Sequence, residues 1–222
     1  MVLCVSSAVC TYFCKNFACA DRQTYFFFSV QLGLGSTISE FTPRQIRGLL
    51  SRKVVQAACS YHHSFMLCSD GSLYSCGRND SGQLGHGDFV DKKTPQCLNN
   101  APANISSLSC GQFHSVCSTS SGVAYACGKN DYGQLGIENS PTVKLFTPIG
   151  VHNDVEFVKQ VCCGYYHTLL LSNTGVVAGF GRNDYGQVNL LFFIAQFSFL
   201  CVLMFVFNQH RLQYSCAYLY IC

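Results

Sequence analysis

The stretch Cys110–Gly136 reads CGQFHSVCSTSSGVAYACGKNDYGQLG. It holds two short apolar runs, Ser115–Ser118 and Val123–Cys127, separated by a turn at Ser121-Gly122, and it closes in a Gly/Asn-rich loop. Short alternating runs on either side of a glycine turn are the pattern of a β-hairpin. In the loop Gly128-Lys129-Asn130-Asp131-Tyr132-Gly133-Gln134-Leu135-Gly136, glycine permits the backbone conformations of a sharp reversal, and Asn and Asp can tie the turn through their side chains.

The same stretch occurs upstream as Cys59–Gly85 and downstream from Cys163 to Gln187. His63, His114 and His167 stand 51 and 53 residues apart. Cys59, Cys110 and Cys163 keep that phase, as do Gly71, Gly122 and Gly175, Gly77, Gly128 and Gly181, Asn79, Asn130 and Asn183, and Gly82, Gly133 and Gly186. Gln31, Gln83, Gln134 and Gln187 follow at steps of 52, 51 and 53, and the pairs Thr42-Pro43, Thr94-Pro95 and Thr147-Pro148 at 52 and 53. Ser64–Cys68 with Ser72–Cys76, and Thr168–Ser172 with Val176–Phe180, repeat the hairpin. A Thr-Pro-led third strand and a fourth strand such as Ile105–Ser109 are expected to complete each unit. A period of this size made only of short strands indicates a propeller blade. The expected fold is therefore all-β: an incomplete propeller of about three four-stranded blades over residues 31–187.

Composition narrows the function. Of 222 residues, 49% are apolar and 11% charged, and the apolar excess lies at the two ends. Between Leu32 and Gln187 there are eleven Lys/Arg and ten Asp/Glu, so the basic stripe of a nucleic-acid binder is absent and no direct nucleic-acid binding is expected. Nine of the sixteen cysteines fall in this region, mostly in apolar alternation, where a free thiol acts as a small buried hydrophobe and a reducing compartment is implied. No Cys-x-x-Cys pair and no zinc-finger spacing occurs, so neither metal nor cofactor is expected. No Ser-His-Asp order, phosphate loop or carboxylate pair recurs, and no catalytic residue is assigned. Asp70, Asp80 and Asp131 read as turn residues. The three histidines recur once per blade and cannot converge on one site. His114 is accordingly expected to be buried and hydrogen-bonded inside its own blade.

The runs Cys110-Gly111-Gln112-Phe113-His114-Ser115 and Cys163-Gly164-Tyr165-Tyr166-His167-Thr168, joined to the Gly128–Gly136 loop, resemble the regulator of chromosome condensation repeat family. The resemblance covers about Gln31 to Gln187. It departs at Ser60, which replaces the glycine of the first Cys-Gly turn, at Cys76 and Cys127, which stand where an aromatic is common, and at Gln187, after which Leu-Gly does not follow. It implies a seven-bladed ring, which needs roughly 360 residues to close, so the three blades read as part of a larger regulatory protein. It also implies a non-catalytic scaffold for a protein partner whose position on the blades the sequence does not mark. Two alternatives come with the family: guanine-nucleotide exchange on a Ran-like small GTPase, or the partner-binding part of a HECT-type ubiquitin ligase, to which Gly181–Gln187 and Ile46–Leu50 are similar.

The ends read differently. Residues 1–30 form an unassigned N-terminal segment: Ala18-Cys19-Ala20 imitates a signal-cleavage site, yet no positive charge precedes the apolar run and Lys15 interrupts it. Residues 188–222 form an apolar tail, and Val188–Phe207 is twenty residues without a charge, long enough to span a bilayer. A span starting in the middle of a loop is physically odd, and Gln187-Val188-Asn189 fits codons resembling an intron donor site, so read-through is the reading preferred to a membrane anchor. The expected location is cytoplasmic or nuclear, with membrane association the alternative.

Overall fold

The computed structural model describes residues 29–41, 44–138, 140–150 and 155–188. The expectations for residues 1–28 and for the tail from 189 onward, like the pair Thr42-Pro43, lie outside them. Among the described residues eleven strands make three antiparallel sheets, with two 3-10 turns at Ser29–Leu32 and Arg47–Leu49. Blade one is β1 (Val54–Cys59), β2 (His63–Cys68), β3 (Leu73–Gly77) and β4 (Lys92–Cys97), hydrogen-bonded in that order. Blade two is β5 (Ile105–Cys110), β6 (His114–Thr119), β7 (Ala124–Lys129) and β8 (Thr142–Pro148). The described residues of blade three form three strands, β9 (Val158–Cys163), β10 (His167–Ser172) and β11 (Val177–Gly181). The arrangement is an open run of propeller blades. Among the described residues no helix is long and apolar enough to cross a membrane.

Two details differ from the sequence reading. Ile105–Cys110 opens the second sheet instead of closing the first, because Cys110 pairs with Ser115 across the tight turn before His114. Thr-Pro also does not lead a strand: Thr94-Pro95 lies inside β4 and Thr147-Pro148 ends β8. Proline lacks the N–H that a central strand must donate, and both strands stand at a sheet edge, where that loss is tolerated.

Side chains alternate across each strand, so a blade covered on both sides buries every residue of its central strands. All of β2 is buried. Phe65, Leu67 and Leu73 point to a core shared with Leu108, Cys110, Cys117 and Cys127 of blade two. Met66, Cys68, Tyr74 and Cys76 point the other way, toward Leu49 and Ile46. Val116, Ala124 and Ala126 of blade two meet Val158, Val161, Cys163 and Leu170 of blade three in a further core. Cys76 and Cys127, set where an aromatic is common in the family, are wholly buried packing residues.

Candidate functional site

The signature residues assemble at the junctions between blades. His63 and His114 are fully buried at the starts of β2 and β6. His63 Nε2 lies 2.7 Å from Ser115 Oγ of the next blade, and Ser115 Oγ donates to the Gln83 carbonyl at 2.8 Å. Since the serine proton goes to that carbonyl, the imidazole must be the donor at Nε2, which assigns the neutral tautomer. The next junction repeats this. His114 Nε2 donates to Thr168 Oγ1 at 3.0 Å, and Thr168 Oγ1 donates to the Gln134 carbonyl at 2.7 Å. His114 is thus buried as expected, but its bond crosses to the neighbouring blade and does not stay inside its own, because the ring projects from the sheet face toward the next hydroxyl. Burial, reinforced by the neighbouring His114 and His62, pushes the His63 pKa down to about 3, and burial beside His167 does the same for His114. Both rings are uncharged at neutral pH.

The residue three before each histidine sets how its other nitrogen is treated. A Cβ at Gly111 would stand 2.0 Å from His114 Cε1, so the ring lies directly over the glycine, and His114 Nδ1 has no hydrogen-bond partner among the described residues. In blade one, Ser60 instead puts its hydroxyl 2.7 Å from His63 Nδ1. Opposite each histidine across the hairpin stands a glycine: His63 pairs with Gly77, His114 with Gly128 and His167 with Gly181. Gly128 has φ of 110°, and a Cβ there would meet the Phe113 carbonyl at 2.4 Å. Cys59, Cys110 and Cys163 end the first strand of each blade, and burial raises all three thiols above their ordinary range.

The loop residues hold themselves in shape. Asn79 Oδ1 accepts from Leu84 N at 2.9 Å and Asn130 Oδ1 from Leu135 N at 2.9 Å, while Asn183 Oδ1 accepts from Val188 N at 3.0 Å. Gln83, Gln134 and Gln187 accept through Oε1 from Ser81 N, Tyr132 N and Tyr185 N at 2.8, 2.9 and 2.9 Å. Gly82, Gly133 and Gly186 sit between them at positive φ. Gln83 and Gln134 are wholly buried under the following blade, whereas Asn183 and Gly186 are exposed and Gln187 half-buried.

A surface feature that sequence reasoning missed emerges from the same geometry. The residue before each histidine accepts a backbone bond from the residue after the paired glycine: Arg78 N to the His62 carbonyl, Lys129 N to Phe113 and Arg182 N to Tyr166, at 2.9, 2.8 and 2.9 Å. This stitching puts aromatic rings beside cations. Phe113 has Arg78 5.4 Å and Lys129 5.8 Å from its ring centre, and Arg182 lies 5.3 Å from Tyr132 and 5.8 Å from Tyr166. Rings also meet across blades, His62 stacking on Phe113 at 5.3 Å and Tyr61 lying 6.5 Å from Tyr165, while Tyr165 meets its neighbour Tyr166 at 6.1 Å. Each cation also pairs with the aspartate two residues on, Arg78 with Asp80, Lys129 with Asp131 and Arg182 with Asp184, so the face is close to neutral. The signal was present in the repeat phase: an aromatic ring within the two positions before each histidine, and a cation after each paired glycine.

Little in this arrangement is reactive. Burial raises the thiols of Cys76 and Cys117 to about 12, and a protonated thiol is a poor nucleophile. Among the described residues no group of three His, Cys, Asp or Glu side chains is placed to hold a metal ion.

Four-stranded blades locked by a buried histidine, a hydroxyl and a loop carbonyl define a propeller repeat protein. The model of the Regulator of chromosome condensation (RCC1) repeat matches residues 29–67, 70–118 and 121–171, and a second model of that repeat matches 54–83, 105–134 and 158–187, starting at the first residues of β1, β5 and β9. The chain belongs to the regulator of chromosome condensation repeat family. It is 35% identical over 162 residues to the Ultraviolet-B receptor UVR8 of Arabidopsis thaliana, covering 72% of this chain and 36% of the relative. It is 35% identical over 159 residues to the Probable E3 ubiquitin-protein ligase HERC6 of Homo sapiens, covering 70% of this chain and 15% of the relative. The chain thus spans well under half of either. Yeast RCC1 (Prp20), solved with Kap60 bound, superposes with a TM-score of 0.59 at 28% identity, over 72% of this chain and 39% of that one.

Proposed function

We propose that the chain is a non-catalytic protein-interaction scaffold whose partner sits on the face formed by His62, Phe113, Tyr132, Tyr165 and Tyr166 with Arg78, Lys129 and Arg182. The observation that carries this is the set of rings and cations spread over all three blades. Aromatic residues and arginine are enriched at protein interfaces and supply most of their binding energy. The pairing of each cation with an aspartate leaves no net positive field, which supports a protein partner over a nucleic acid. Nine free cysteines among the described residues fit a reducing compartment, cytoplasm or nucleus. Membrane attachment would rest on residues 188–207 alone.

The similarity to HERC6 favours, as the finer reading, service as the partner-binding part of a HECT-type ubiquitin ligase. Exchange on a Ran-like GTPase rests on family membership alone. The test is affinity capture from cell extract with the native chain and with Phe113→Ala/Tyr166→Ala. Proteins retained by the native chain should fall at least roughly tenfold with the variant, as loss of two interface anchors implies. Equal retention would contradict the proposed face.

A further inference from the structure

The two junctions between blades are not built alike. At both, a buried histidine reaches a hydroxyl of the next blade and apolar side chains fill the space between the sheets. Between blades two and three the chain is also tied through its backbone. Val161 N and Cys163 N of β9 donate to Ser107 Oγ and Ser109 Oγ of β5 at 3.2 and 2.9 Å. Gln112 N donates to the Tyr165 carbonyl at 3.1 Å, and Val158 N to the Gly122 carbonyl at 2.9 Å. Phe157 packs on that glycine, where a Cβ would meet its ring at 2.4 Å.

Between blades one and two the same positions carry other residues. Gln56 and Ala58 of β1 stand in the repeat where Ser107 and Ser109 stand in β5. Alanine has no hydroxyl to offer, and among the described residues Leu108 N and Cys110 N of β5 make no bond to β1 of the kind that Val161 N and Cys163 N make to β5. Asn104 takes the place of Phe157, with φ of 55°, and nothing lies within 4 Å of where a Cβ at Gly71 would stand. Blade one thus rests on blade two through the apolar core of Phe65, Leu67, Leu73, Leu108 and Phe146, without the ties that bind β5 to β9. Apolar contact has no preferred direction, whereas a hydrogen bond fixes one.

We infer that blades two and three move as one body and that the molecule opens first between blades one and two. The motion is a shear of one sheet over an apolar core, limited by the bond from His63 to Ser115. It parts His62 and Arg78 of blade one from Phe113 of blade two, so the face of rings and cations divides along that line.

Native thiols report on each junction. Cys117 and Cys127 are wholly buried in the core between blades one and two, and Cys163 is buried in the core between blades two and three. Alkylation of the full chain with N-ethylmaleimide in native buffer, read site by site by mass spectrometry, follows their exposure. Cys117 and Cys127 should react at least roughly tenfold faster than Cys163, as a difference of one or two hydrogen bonds in the cost of opening implies. Gln56→Ser/Ala58→Ser, which gives β1 the missing hydroxyls, should slow Cys117 and Cys127 and leave Cys163 unchanged. Ser107→Ala/Ser109→Ala should speed Cys163 and leave Cys117 and Cys127 unchanged, a selectivity that unfolding of the whole chain does not produce. Equal rates in the native chain, or variants that leave the ratio of rates unmoved, overturn the inference.

Discussion

His63 and His114 hold the blades together only while they are neutral. Each donates from Nε2 and is buried with a pKa near 3, well below the ordinary histidine value of about 6.5. Between those limits the unfolded chain binds protons that the folded chain refuses, so stability is full above about pH 6.5 and falls as the pH drops toward 3. The slope is up to about 1.4 kcal/mol per pH unit for each histidine. Urea unfolding followed from pH 7.5 to 5 should show this loss, and His114→Gln should reduce it; a flat profile would mean that the rings are not buried in the neutral form. The structural role of these residues was legible from their recurrence once per blade. Their partners were not, because a contact such as His63 to Ser115, 52 residues apart, depends on how one sheet twists against the next.

The hairpins owe their shape to glycines with different demands. Gly128 combines φ of 110° with a carbonyl 2.4 Å from where a Cβ would stand, while Gly133 has φ of 74° and open space around it. Gly133→Ala carries only left-handed strain, about 1–2 kcal/mol. Gly128→Ala adds a backbone clash that no side-chain motion relieves, so it should cost well beyond that in the same urea titration. Comparable losses at the two positions would mean that the β6–β7 pairing is looser than described. The strands around these turns could be read from alternation, down to β2 and β3. The grouping of strands into sheets could not: Ile105–Cys110 lies between β4 and β6 in the chain, and the tight turn before His114 decides which it joins. The aromatic and cationic face also escaped, since it depends on the backbone bonds that bring Arg78, Lys129 and Arg182 beside the pre-histidine residues.

Across the whole molecule, blades that share cores and a repeated side-chain chain of bonds should behave as a row of coupled units. The described blades form an open run and not a closed ring, so the chain on its own should leave nucleotide release from a Ran-type GTPase essentially unchanged in stopped flow; acceleration by orders of magnitude would make it an exchange factor. The central claim is that the signature histidine joins one blade to the next. A double-mutant cycle of His114→Ala with Thr168→Val, measured by urea unfolding, isolates that contact from the rest of the junction. Loss of the histidine alone should cost about 1–3 kcal/mol. The two changes together should cost less than the sum of their separate effects by on the order of 1 kcal/mol, because either one already removes the bond. Strictly additive costs would show that His114 and Thr168 do not hold each other, and would contradict the account.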